Sequence, residues 1–193
     1  MDRRTYKTEK AIREAFLYLL KKKSINKITI AEISQAADLG RGTFYLHYKD
    51  IFDLYEHIEN DLFAEIEQLI FTSCTDSSPE NLMNFSQTIT EYITDNRTTF
   101  LLLIKPENGG KNLYRLKECF YKAMLGECEG PGSNPGLYPS DYQVVECMFA
   151  VSGVVGVLEE WLLSKIDMPQ KQIAEALYNT LQKFYAANLT SIR

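Results

Sequence analysis

Arg41, Gly42, Thr43, Tyr45, His47 and Lys49 put a guanidinium, a hydroxyl, a phenol, an imidazole and an amine into one short stretch of chain. That set suits recognition of a polyanion better than transformation of a substrate. Arg41 can pair with a guanine edge or a phosphate, and Thr43 can bond a phosphate oxygen. Gly42 removes bulk where another molecule would approach most closely. Arg41 and Tyr45 are four apart and share one side of a helix, while Phe44 and Tyr48, also four apart, would face inward. A helix so arranged fits a DNA major groove, where bases are read by side chains near the helix N-terminus.

Catalytic chemistry has little support. The two histidines are His47 and His57. His57 could pair with Asp53 or Asp61 at four-residue spacing to hold a metal, but a surface histidine beside carboxylates is the commoner arrangement. The chain has no HExxH, nucleophile elbow or phosphate loop, since the glycines between Gly126 and Ser140 are interrupted by prolines and no lysine follows before a helix. No enzyme activity, cofactor or metal is expected.

The elements that must position these groups are two short helices and a corner, within residues 29–49. Ile30, Ile33 and Ala37 recur at helical spacing, so one side of the first of these helices is buried. Thr29 stands at its N-cap, and Glu32 three residues on completes a capping box. Asp38-Leu39-Gly40 is short enough for a helix-turn-helix corner. Ahead of it, residues 5–22 form a helix with Ile12, Ala15, Phe16, Leu19 and Leu20 in an apolar stripe.

From Thr8 to Leu54 the chain resembles the DNA-binding domain of TetR/AcrR-type transcriptional regulators. The matching residues are Ile12, Ala15, Phe16, Thr29, Ile33, Ala37, the run Gly42-Thr43-Phe44-Tyr45, His47-Tyr48 and Leu54. The resemblance implies an all-α fold, with an N-terminal helix-turn-helix domain joined by a long helix to a C-terminal helical bundle, about nine helices in all. It also implies that Thr29, Arg41, Gly42, Thr43, Tyr45 and His47 touch DNA. Three positions depart from the family pattern. Asp38 replaces the turn glycine and can adopt the left-handed conformation it needs. Gly40 replaces the serine that caps the recognition helix. Ile51 replaces a phosphate-binding lysine, a charge that Lys49 would supply instead, with Asp50 capping the fourth helix. The C-terminal half is similar to a group found in low-GC Gram-positive bacteria.

The chain has 193 residues, is 45% hydrophobic and 12% aromatic, and carries a net charge of −5. That length is enough for one domain and a smaller second one, expected as 1–49 and 50–193. The charge is unevenly placed. Residues 1–49 hold 11 Lys and Arg against 5 Asp and Glu, and the remainder holds 10 against 21. A basic head on an acidic body is the asymmetry of a protein that meets phosphate at one end. Lys21, Lys22 and Lys23 either approach DNA or form a solvated helix end, where cations suit the helix dipole. The charged N-terminus and the short apolar runs imply a cytoplasmic protein without a membrane partner. Cys74, Cys119, Cys128 and Cys147 have no CxxC spacing and read as reduced thiols, mostly buried.

Beyond residue 50, helical spacing continues from Asp50 to about Phe71, linking head to body without a flexible segment. Ser77-Ser78-Pro79 opens a fifth helix that Asn96 ends. A sixth follows from Thr98 to Lys105, closed by Pro106 and Gly109-Gly110, then a seventh from about Asn112 to Leu125. The segment Gly126–Ser140 reads as a loop. An eighth helix runs from Asp141 to about Lys165, and a ninth starts at Pro169. The eighth is apolar almost all round from Val144 to Leu158, so every side must be covered. Gly153 and Gly156 leave room for another backbone. A second copy of the chain could supply that cover, and the resemblance implies homodimers paired through the last two helices. The body aromatics Phe85, Tyr92, Phe100, Tyr114, Phe120, Tyr121, Phe149 and Trp161 suit a core more than a pocket. A small-molecule effector held between helices would fit such a bundle.

Two function classes follow. One is a homodimeric regulator that binds a palindromic double-stranded DNA operator and is released or repositioned by an effector. The other is a helical binding or scaffold protein whose helix-turn-helix does not read DNA.

Overall fold

The computed structural model describes residues 3–73, 78–103, 111–124 and 140–190, which form nine α-helices and no strand. The helices are α1 (Arg3–Leu20), α2 (Ile30–Ala36), α3 (Arg41–Tyr45), α4 (Ile51–Ser73), α5 (Pro79–Asp95), α6 (Arg97–Leu103), α7 (Lys111–Met124), α8 (Asp141–Leu162) and α9 (Gln170–Thr190), with a single 3-10 turn at Ile25–Lys27. The chain divides into two compact units, Met1–Phe63 and Ala64–Arg193, so the first half of α4 belongs to the first unit.

In the first unit, α1 buries Ile12, Ala15, Phe16 and Leu20. Ile12, Phe16, Ile33, Phe44 and Leu54 come from four different helices and are sealed from solvent. Each such side chain contributes about 1.5–3 kcal/mol on leaving water. The start of α4 is fixed by two backbone-to-carboxylate bonds. The Asp53 N–H donates to Asp50 Oδ1 at 2.9 Å, and the Lys49 N–H donates to Asp53 Oδ2 at 2.8 Å.

In the second unit, α5 packs along α9 and α7 along α8. Ser78 caps α5 by accepting from the Asn81 N–H, with Pro79 in the first turn, and Asn96 ends the helix. Ser86 and Thr90 are fully buried and polar, which their own helix resolves. Their hydroxyls donate to the carbonyls of Leu82 and Ser86, each at 2.8 Å. Gln170 of α9 then donates to Thr90 Oγ1 at 2.8 Å, pinning the two helices together. Phe85 meets Phe120 edge to face at 5.7 Å, and Tyr92 meets Phe100 at 6.0 Å, so these aromatics pack on one another.

Helix α8 opens with a Ser140/Gln143 capping box and ends at Leu162, short of the expected Lys165. The reason lies at its C-terminus. Ser164 adopts a left-handed φ of 60°, and Arg97 donates to the Leu162 carbonyl at 2.6 Å and to Ser164 Oγ at 2.8 Å. The freed carbonyl thus has a cationic partner, and the chain turns. Trp161 Nε1 donates to the Met168 carbonyl at 2.9 Å across that turn.

The loop expected from Gly126 to Ser140 lies outside the described residues up to position 139, as do Ser77, the close of the sixth helix at Pro106 and Gly109-Gly110, Cys74 and Cys128. Cys119 and Cys147 are buried free thiols. Among the described residues no helix is long and apolar enough to cross a membrane, and no group of His, Cys, Asp and Glu could hold a metal ion.

Candidate DNA-binding surface

The supports of the recognition segment are built from local chemistry. Glu32 N–H donates to Thr29 Oγ1 at 3.3 Å, and the Thr29 N–H donates back to Glu32 Oε2 at 3.0 Å, so both halves of the expected capping box form. Lys23 Nζ adds a bond to Glu32 Oε1 at 2.6 Å. Lys23 and then the Thr29 hydroxyl hold the Glu32 carboxyl below its ordinary pKa.

At the end of α2, Asp38 takes a left-handed φ of 54°. The Leu39 N–H reaches the Ser34 carbonyl at 2.9 Å and the Asp38 N–H reaches Gln35 at 3.2 Å. Those two bonds are a Schellman motif with aspartate in the usual glycine position. Gly40 follows in extended conformation as the N-cap of α3 and offers no side-chain bond.

Within α3, Phe44 is buried and Tyr48 beyond it is buried too. The Tyr48 N–H donates to the Phe44 carbonyl at 3.0 Å, so the helical turn continues past the end of α3. Arg41, Gly42, Tyr45, Leu46 and Lys49 are all exposed, and Thr43 is half-buried beside them. Arg41 has no ion-pair partner among the described residues. A Cβ built on Gly42 would meet nothing within 4 Å. Arg41, Gly42, Tyr45 and Lys49 thus share the solvent-facing side of this segment, with Thr43 only partly open. Thr29 is exposed at the start of α2, with its hydroxyl engaged by Glu32.

His47 is not on that face. Its side chain is 13% exposed, and its Nδ1 lies 3.2 Å from Glu9 Oε1 on α1. Tyr48 is held by the residue one helical turn further along α1. Arg13 Nε donates to the Tyr48 hydroxyl at 3.3 Å, and the same guanidinium pairs with Asp61. Burial raises the Tyr48 pKa, so the phenol stays neutral. Glu9 and Arg13 thus grip two consecutive residues at the end of the recognition segment. Neither contact is visible to sequence periodicity, because the partners are 38 and 35 positions apart. Of the lysine cluster, Lys22 lies over the Tyr18 ring at 3.9 Å and Lys23 is bonded to Glu32, which leaves Lys21. His57 turns its Nδ1 to the Asp53 carbonyl at 2.7 Å and packs edge-on against Tyr48 at 5.4 Å, a structural role.

A second exposed face lies on α8. Its inner side buries Cys147, Ala150, Val151, Val154, Val155 and Leu158. Its outer side exposes Tyr142, Val145, Met148 and Phe149, the last at 73%. Cβ atoms built on Gly153 and Gly156 would meet nothing within 4 Å. Beside this strip, α8 and α9 line a shallow apolar groove of about 190 Å³, with Phe149 stacked on Phe184 at 6.1 Å.

Comparison with known proteins agrees with this architecture. A TetR-type family model described as "Transcriptional regulator C-terminal region" matches residues 80–183. An HTH-type transcriptional regulator of Bacillus subtilis (strain 168), YxbF, is 28% identical over 120 residues, which are 61% of this chain and 31% of that protein. The chain thus spans about a third of the length of the curated relative it matches. A TetR-family transcriptional regulator from Streptomyces coelicolor superposes with a TM-score of 0.65 at 15% identity, over 95% of this chain and 82% of the other. An AcrR-family regulator from Aquifex aeolicus VF5 superposes with a TM-score of 0.64 at 19% identity, over 91% and 98%.

Proposed function

The chain belongs to the TetR/AcrR family of transcriptional regulators, and we propose that it acts as a homodimer that binds a palindromic DNA operator through two copies of the Arg41 to Lys49 face. It is a regulator and not an enzyme. The observation that carries the DNA reading is the outward row itself: Arg41, Gly42, Tyr45 and Lys49 all face solvent while Phe44 and Tyr48 hold the helix from behind. That row sits in the part of the sequence where cations outnumber anions 11 to 5. In this reading Arg41 and Tyr45 meet base edges, and Thr43 and Lys49 meet phosphates, while Thr29 meets one only by exchanging its hydroxyl bond to Glu32 for a phosphate oxygen. His47, turned to Glu9 on α1 and mostly covered, holds the segment from behind in this reading.

The outer strip of α8 supports dimerisation. A water-exposed row of Tyr142, Val145, Met148 and Phe149 ahead of two open glycines suits a second copy of the same helix. Two recognition helices would then enter major grooves about 34 Å apart. A small-molecule effector belongs to the same reading through the family alone, since the buried aromatics of α5, α6 and α7 are occupied with each other. The sign of regulation is set by where the operator lies relative to a promoter.

The test is a gel shift on duplex DNA flanking the protein's own gene, between 50 and 200 mM salt. A dimer neutralising several phosphates should lose about three to five decades of affinity across that range. Binding that ignores salt would instead support a scaffold protein whose helix-turn-helix does not read DNA.

A further inference from the structure

Leu46 is the most exposed of the large apolar side chains in the first unit, at 84%. It is also one that the family resemblance does not assign. Its backbone is well held, with its N–H donating to the Thr43 carbonyl at 3.3 Å, so the exposure does not come from a loose chain end. Leu46 lies four residues after Gly42, and the two form one row beside the Arg41–Tyr45 row on the same outward face. Gly42 has no side chain and open space above it. The backbone can therefore come close to a partner there, and Leu46 projects from the same row. Cations at Arg41 and Lys49 flank the patch, which favours a polyanion over an apolar protein surface.

We propose that Leu46 reads sequence, packing its isobutyl group against the C5 methyl of a thymine in the major groove. The proposal rests on the DNA reading above. Thymine is the one base whose major-groove edge offers a methyl group, and aliphatic side chains distinguish it by contact. An exposed leucine gains nothing from water and gains one buried methyl contact from thymine. Arg41 and Tyr45 would supply the polar part of the readout, with Leu46 supplying the apolar part in the same half-site.

The experiment uses the full chain and a pool of random duplexes. Wild type first selects its preferred half-site, and each thymine in that site is then replaced singly by deoxyuridine, which removes only the methyl. Wild type should lose about fourfold in affinity at one thymine per half-site, the worth of one buried methyl group. Leu46→Ala should bind thymine and uracil versions alike at that position while melting with wild type. If wild type tolerates uracil at every thymine, or Leu46→Ala keeps the wild-type preference, Leu46 is not a base reader. If wild type selects no sequence at all, the DNA reading falls, and the Leu46 assignment falls with it.

Discussion

Gly42→Ala separates what the fold needs from what a partner needs. Gly42 lies in the first turn of α3, in helical conformation, and an added Cβ would meet nothing within 4 Å. The isolated protein therefore has no steric reason for glycine here. Alanine should stabilise it, because glycine within a helix is about 0.5–1 kcal/mol worse than alanine. For a chain of this size, about 1 kcal/mol moves the melting temperature by roughly 2–4 °C. Against DNA the sign reverses. A methyl at a close approach either separates the surfaces or strains one of them, at a cost of about 1–3 kcal/mol. That corresponds to an affinity loss of about 5- to 150-fold. The assay pairs a circular-dichroism melt with fluorescence anisotropy on a selected duplex at one fixed salt concentration. A variant that melts lower than wild type would reveal a steric need absent from the structure. A variant that melts higher and binds DNA as before would show that the Gly42 face never meets the duplex.

The other expectations test separate parts of the molecule. Phe149→Asp places a charge on the outer strip of α8, where the side chain is mostly exposed, so the chain should fold. Analytical ultracentrifugation should show monomers and operator affinity should collapse; an undisturbed dimer would move the interface elsewhere. Glu32 titrates below its ordinary value of 4.5 because of Lys23 and then Thr29. Unfolded chains thus bind more protons there than folded ones, so the contribution is complete above that value and fades as pH falls through the lowered one. Glu32→Gln should remove that part of the acid transition, and an identical acid limb in both proteins would discount the cap. Burial first, then Glu67, raises the Cys119 thiol to about 12 from an ordinary value of 9.0. The folded thiol should resist alkylation at pH 8–9 and react only on unfolding. Its contribution to stability is whole below 9.0 and is lost as pH rises toward 12; Cys119→Ala should flatten that alkaline decline, and rapid native labelling would contradict the burial.

Local signals were legible in the sequence where one helix or one turn decides the outcome. The Thr29–Glu32 capping box, the left-handed Asp38, the Asp50 cap and the Ser78-Pro79 helix start each depend on residues within four positions of one another. The contacts that fix the recognition segment were not legible. Glu9 with His47 and Arg13 with Tyr48 are chosen by how α1 folds back, which periodicity does not encode. The same holds at the end of α8, where helical pattern runs on to Lys165 but Arg97, 65 positions before Leu162, turns the chain earlier. The exposure of Leu46 is encoded locally. This residue lies two positions from both Phe44 and Tyr48, which places it opposite the buried side of the helix.

Two faces of this chain present apolar side chains to water beside glycines that the fold does not sterically require, and in the proposed function they meet different partners. On the recognition segment, Tyr45 and Leu46 stand between the cations Arg41 and Lys49, with Gly42 open beside them. A protein surface would have to desolvate both cations, whereas DNA phosphates neutralise them and release counterions. On α8, Val145, Met148 and Phe149 surround the acidic Glu146, with Gly153 and Gly156 open along the helix. Phosphates would be repelled there, and an apolar helix would be accepted. The open glycines leave room for a partner at both places, and the charge beside each bears on which partner it is. Reversing one charge beside each strip tests the two assignments separately. Glu146→Lys should leave duplex affinity almost unchanged in an intact dimer, whereas Lys49→Glu should abolish duplex binding without altering the dimer, and the reverse pattern would exchange the two assignments.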